Sequence, residues 1–287
     1  MKSTPPTIST SRWELAGSSG ETIFGVTDVL ASPRTSAAGD VIICHGFKGY
    51  MDYGFLPRLA SHLAEQGYRT HRFNFSHSGV TRDHDRFGRP DLFEKDTWSR
   101  QIHDLTVVVN HLQQTGRPLI LFGHSRGGVT ALLTAARLGA KIAAVITAAS
   151  PADACTLDDS QIRRLRKNGK LSSPSGRTGQ ELFVGIDWLL DIEQDGSRHD
   201  PLMASRRASA QMFHIHGSAD TTVSPEDLQR FAAADPKAST TLIENATHVF
   251  NAPNPMLPTQ ELPEATGELF TAVENGLKKF TADQANR

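Results

Sequence analysis

The stretch that most constrains this chain runs from Pro118 to Leu138 and reads PLILFGHSRGGVTALLTAARL. Its opening, Leu119 to Phe122, is a short apolar run of strand type. Its close, Val129 to Leu138, has the Ala- and Leu-rich pattern of a helix. Between them, Gly123-His124-Ser125-Arg126-Gly127 matches G-x-S-x-G. A serine held on so sharp a strand-to-helix turn has strained backbone angles and closely pressed neighbours, so small residues are required beside it. Such a turn lifts the Ser125 oxygen above the sheet edge. It also sets the Arg126 backbone N–H at the start of a helix, aimed where an oxyanion would form. A five-residue pattern with three fixed positions arises by chance in many chains; the strand before and the helix after give this one its meaning.

The remaining segments repeat the alternation of strand and helix. Trp13 to Leu30 reads as one or two strands, and Val41-Ile42-Ile43-Cys44 as a central strand of a parallel sheet. Leu56 to Gln66 is a helix with Leu56, Leu59, Ala60, Leu63 and Ala64 on one face and Gly67 as its stop. Tyr68 to Phe75 is a strand. Asp96 is read as the cap of a helix that reaches Gln114. Lys141 to Ala148, Met212 to His216 and Thr240 to Ile243 are further strands, with helices at Pro225 to Ala234 and Glu264 to Phe280. The pattern implies an α/β fold, a mostly parallel sheet with helices on both faces. Residues 151–209 break the rhythm with charge and turn residues and one helical piece, Gln180 to Ile192, and read as an inserted lid. The expected organisation is a flexible tail over 1–12, a core over 13–150 and 210–287, and the lid between.

In open parallel sheets the functional loops lie at the carboxyl ends of the strands. Ser125, Asp220 and His248 each follow a strand directly, so all three fall on one edge, in the order Ser, Asp, His. A serine hydroxyl is a poor nucleophile at neutral pH. His248 is the candidate base, and Asp220 the group that orients it. Asp153, after the preceding strand, is held as the reserve acid. His45-Gly46-Phe47-Lys48-Gly49 ends another strand on this edge, which makes the backbone N–H of Phe47 the second candidate oxyanion donor beside that of Arg126. His45 reads as a brace for this loop. His77, Asp83, His84 and Asp85 cluster in a long polar loop, Ser76 to Asp96, but their spacing fits no familiar metal pattern, and the loop reads as a solvated, substrate-side one. Arg163, Arg164, Arg166, Lys167 and Lys170 are either a solvated face or a lure for acidic substrates.

The chain resembles the α/β-hydrolase superfamily from about Ile23 to the C-terminal helix, through GHSRGG, HGF, HGSADTTV and NATHVF. More narrowly it is similar to the serine aminopeptidase-like and cinnamoyl (feruloyl) esterase group. That resemblance implies hydrolysis of carboxylic esters with no metal or cofactor. It also implies Ser125, Asp220 and His248 as the catalytic set, with Phe47 and Arg126 as oxyanion donors. Where the group often carries D-x-x-G-x-G-x-S, this chain has Asn74-Phe75-Ser76-His77-Ser78-Gly79. After the nucleophile it has Arg126 in place of a common Gln or Met. Arg126 either favours an acidic acyl group or pairs with a carboxylate of the protein.

The net charge of −1 gives no electrostatic case for nucleic acid as a partner, and no apolar run approaches membrane-spanning length. Two cysteines, Cys44 and Cys155, and an N-terminus without an apolar signal segment point to a reduced, cytoplasmic setting. The expected activity is cleavage of a small-molecule ester through an acyl-enzyme on Ser125. An acyltransferase, a peptidase or amidase with the same residues, and a non-catalytic small-molecule receptor remain the alternatives, and monomer and homodimer are both open.

Overall fold

The computed structural model describes residues 7–32, 38–82, 86–196 and 198–285. In chain order, β1 (Ile8–Ala16), β2 (Thr22–Leu30) and β3 (Asp40–Cys44) lead to helix α1 (Leu56–Glu65) and β4 (Arg69–Asn74). Helices α2 (Pro90–Glu94) and α3 (Trp98–Gln113) precede β5 (Leu119–His124), α4 (Arg126–Leu138) and β6 (Ala144–Ala148). An excursion then carries α5 (Asp159–Asn168), a small hairpin of β7 (Lys170–Ser172) and β8 (Phe183–Gly185), α6 (Ile186–Gln194) and α7 (Pro201–Arg207). Strand β9 (Gln211–Gly217), α8 (Glu226–Ala234), β10 (Ser239–Ile243) and α9 (Glu264–Ala285) complete the order.

The eight-stranded sheet runs β1-β2-β4-β3-β5-β6-β9-β10. Strands β1 and β2 are antiparallel to their neighbours, and every pairing from β4 to β10 is parallel. The β-branched run Val41-Ile42-Ile43 suits an interior strand covered on both faces, and all three side chains are buried. Period-two alternation divides the core into two layers. On one face Ile43, Phe122 and Ile146 meet Leu59 and Leu63 of α1 and Leu269 and Val273 of α9. On the other, Ile42, Leu121 and Val145 meet Leu105 and Val109 of α3 and Val129 and Leu132 of α4. This sandwich fixes the carboxyl ends of β3, β5, β9 and β10, from which the loops of the site emerge.

Several boundaries differ from the sequence reading. Strand β1 begins at Ile8, inside the stretch read as tail, because it is an edge strand whose outward residues are polar. It is tied down by Thr10 Oγ1 donating to Asp28 at 2.6 Å and Trp13 Nε1 donating to Thr27 at 3.0 Å. Helix α3 is capped by Thr97, whose hydroxyl accepts from the Arg100 N–H at 3.2 Å; Asp96 turns inward instead. The polar loop from Ser76 contains α2, started by Pro90. Strand β6 begins only at Ala144, after a short 3₁₀ turn at Gly139–Lys141. The helical piece expected from Gln180 is a strand to Gly185 and a helix from Ile186.

The excursion leaves and rejoins between β6 and β9, which pair directly from Ala144 opposite Gln211 to Ala148 opposite Ile215. It is moored at several points. Gln180 holds both the N–H and the carbonyl of Phe87, at 2.8 and 3.1 Å. Lys48 Nζ donates to the Pro174 carbonyl at 2.7 Å, and Trp98 Nε1 to that of Ala154 at 3.2 Å. The Ser99 N–H donates to Asp191 at 2.9 Å. Among the described residues no helix is long and apolar enough to cross a membrane.

Candidate functional site

Ser125 sits between β5 and α4 with φ 53° and ψ −124°, a conformation rarely adopted by a non-glycine residue. Its N–H donates to the Ala148 carbonyl at the end of β6, at 2.8 Å. The turn closes only because its flanks lack side chains. A Cβ on Gly123 would stand 2.3 Å from the Gly127 carbonyl oxygen, and one on Gly127 2.4 Å from that of Cys44.

The three strand-end residues come together. Ser125 Oγ lies 3.0 Å from His248 Nε2, and His248 Nδ1 lies 2.8 Å from Asp220 Oδ2. With Nδ1–H donating to the carboxylate, Nε2 is left to accept from the serine hydroxyl. Asp220 is buried, which by itself would raise its pKa. Hydrogen bonds from His216, His248 and the Val223 N–H overcome that and hold the carboxyl well below the usual range. Its second oxygen accepts from the N–H groups of Thr222 and Val223 at 2.8 and 3.0 Å. Asp153, the reserve acid, is engaged elsewhere: both its oxygens are held by Arg230, at 2.6 and 2.8 Å.

The loop after β3 lies against Ser125, since a Cβ on Gly46 would approach the Ser125 Cβ at 3.1 Å. His45 braces it. Its Nδ1 meets the Gly46 carbonyl at 2.9 Å, and its Nε2 accepts from the Phe75 N–H at 3.4 Å. The N–H of Arg126, first in its helix, has no intrahelical acceptor. Among the described residues, neither that N–H nor that of Phe47 donates to a protein acceptor.

Ser125 opens into a cavity of about 270 Å³. Phe47, Trp98 and Trp188 form walls, and Leu171 and Val184 of the excursion close one side. The Arg126 guanidinium also lines it. It faces the rings of Trp98, Phe47 and Trp188 at 4.7, 5.4 and 5.9 Å, and its Nη2 lies 3.1 Å from Asp96 Oδ2. Of the two sequence readings of Arg126, the pairing with a protein carboxylate is therefore present. Burial pushes the Asp96 carboxyl up to about 6.

Two histidines escaped the sequence reading. His124 Nε2 lies 2.8 Å from the His248 carbonyl, and burial lowers its pKa to about 3, so it stays neutral and donates there. His216 Nε2 lies 3.3 Å from Asp220 Oδ2. His124 is the last residue of β5 and His216 the last but one of β9, each just before a loop of the candidate site, which was the available signal. Of the polar loop's cluster, His77 is buried against Ser76, and Asp83, His84 and Asp85 fall outside the described residues. Among the described residues no group of three His, Cys, Asp or Glu side chains is arranged to hold a metal ion.

The sequence over residues 41–259 matches the model of the alpha/beta hydrolase family. The chain belongs to that family. By sequence, no curated protein matches it. Among solved structures it is similar to Est1E from Butyrivibrio proteoclasticus with ferulic acid bound, at 17% identity and a TM-score of 0.73, over 94% of this chain and 99% of that one. It is similar also to the esterase domain of a Rhodothermus marinus protein, at 18% identity and a TM-score of 0.64, over 96% of this chain and 99% of that one. At such identities the likeness is one of fold.

Proposed function

We propose that the protein is a serine hydrolase that cleaves carboxylic esters through an acyl-enzyme on Ser125. The observation that carries this reading is the unbroken run of contacts from Ser125 Oγ to His248 at 3.0 Å and from His248 to Asp220 at 2.8 Å, at the edge of a largely apolar cavity. In the first step Ser125 Oγ attacks the ester carbonyl as His248 Nε2 takes its proton. Asp220 holds the imidazole in the needed tautomer and stabilises the imidazolium. The N–H groups of Phe47 and Arg126 receive the oxyanion, one such donor being worth ~3 kcal/mol. His248 returns the proton to the departing alcohol. Water, deprotonated by the same nitrogen, then releases the acid and frees Ser125. Residues 151–209 act as a lid that shapes the acyl pocket, and 13–150 with 210–287 act as the catalytic core. The binding of ferulic acid to Est1E and the esterase character of the Rhodothermus domain lend support at the level of fold.

The test is stoichiometric labelling by a fluorophosphonate, located by mass spectrometry, with hydrolysis of short-chain esters followed in parallel. The expected result is a single label on Ser125 and turnover that Ser125→Ala lowers by at least ~10³. Folded wild-type protein that takes no label and turns over no ester would overturn the reading in favour of a ligand-binding role.

A further inference from the structure

We propose that Arg126 receives a carboxylate at the far end of the acyl group, so that the substrates of this site are half-esters of short dicarboxylic acids. The inference rests on the reading of Ser125 as the nucleophile of ester cleavage. Arg126 follows Ser125 in the chain, and its guanidinium lines the same cavity, so the reacting carbonyl and the cation are separated by a short span. Only 12% of the side chain is exposed, and three aromatic rings shield it without offering an anion. Its pairing with Asp96 is incomplete. Neither Nε nor Nη2 has a hydrogen-bond partner, and Asp96 Oδ1 has none either.

Two arginines paired with surface carboxylates look different. Arg230 grips Asp153 through two nitrogens at 2.6 and 2.8 Å, and Arg89 grips Asp91 through two at 2.9 and 2.7 Å. Such forked pairs satisfy the planar guanidinium; a single off-axis contact does not. The Asp96 oxygen that faces Arg126, Oδ2, is shared with Gln101, whose Nε2 donates to it at 2.6 Å. Gln101 is fixed in turn by Thr130 Oγ1, which donates to its Oε1 at 2.6 Å. Burial raises the Asp96 carboxyl to about 6, so the charge facing Arg126 is partly lost near that pH. The acidic group on the cavity wall, Asp153, is already neutralised by Arg230. The cavity thus joins apolar walls to one cation whose pairing within the protein is incomplete, and a carboxylate that enters meets that positive charge in a setting of low polarity.

The experiment compares monoethyl glutarate with ethyl valerate, which have acyl chains of equal length, by acid release in a pH-stat. The wild type is expected to favour the half-ester at least tenfold in kcat/KM. Arg126→Met is expected to collapse that ratio, and Arg126→Lys to keep part of it. Calorimetry on the wild type adds a comparison that needs no turnover: glutaramate, with the far carboxylate, is expected to bind at least tenfold tighter than valeramide. A wild type that prefers ethyl valerate, or a folded Arg126→Met protein with an unchanged ratio, overturns the inference and leaves the esterase reading standing. Turnover of neither ester removes the esterase reading. Equal binding of the two amides then removes the inference as well, and tighter glutaramate binding retains the anion site. Should Arg126→Met fail to fold, the wild-type ratio and the two binding constants decide.

Discussion

Ser125 is held where a side chain is unwelcome, with φ 53° and ψ −124° enforced by β5, α4 and the hydrogen bond to Ala148. Such a conformation costs of the order of 1–3 kcal/mol in a non-glycine residue. The strain belongs to the turn that presents the hydroxyl. Replacing Ser125 by Gly is therefore expected to raise stability by about 1 kcal/mol while abolishing turnover, the loss of strain outweighing the extra freedom of glycine in the unfolded chain. Thermal melts of the two proteins check this; a Ser125→Gly protein less stable than the wild type would show that the turn is not strained. At the same scale, His124 illustrates what a linear reading passes over. Within the motif it occupies an unspecified position, yet it supports the His248 carbonyl from 124 positions away. Spacing along the chain carries no trace of such a contact.

At the scale of elements, strands were the more legible. Val41 to Cys44 and Leu119 to Phe122 are short apolar runs bounded by turn residues, and both are interior strands. Ser125, Asp220 and His248 were placed on one edge because each follows a strand, and the structure brings them within hydrogen-bonding distance. Edge strand β1 was partly missed because its exposed residues dilute the alternation. The hairpin of β7 and β8 was missed because three-residue strands carry no periodicity. Its position depends on tertiary contacts, chiefly the amide of Gln180 acting as a surrogate backbone for Phe87. Gln180→Ala should therefore loosen the hairpin locally. Amide hydrogen exchange over 170–185 is expected to quicken by an order of magnitude or so, with the central strands unaffected. Unchanged exchange there would mean that the Lys48 and Trp98 moorings suffice.

Across the whole molecule, buried ionisable groups set the response to acid. Burial lowers His124 and His214 to about 3 and His77 to about 4. The unfolded chain takes up these protons first, near pH 6.5, so the stability these groups contribute is complete above that pH and is lost as pH falls toward their folded values. Asp96, raised to about 6, and Asp104, raised by burial, act in the opposite sense, since the folded protein binds their protons first. The lowered histidines, His71 and His199 among them, outnumber these two carboxyls, so stability is expected to fall with acid between about pH 6 and 4. His214 lies between Thr147 and Ser205, stacked on Phe231 and away from the cavity. His214→Gln is expected to flatten the slope by ~1.4 kcal/mol per pH unit, as read from urea melts at several pH values. A parallel pH dependence in both proteins would show that His214 is not held neutral.

The pairing of β6 with β9 has one more consequence. The long excursion departs from one strand and returns to its immediate neighbour, so the sheet closes in the same register whatever the detour contains. Lengthening a detour of this kind is thermodynamically cheap, each doubling adding only about 0.6 kcal/mol to closure. Descendants of such a chain can exchange the detour wholesale, and with it the cavity wall that Leu171 and Val184 form, while Ser125, Asp220 and His248 stay where they are.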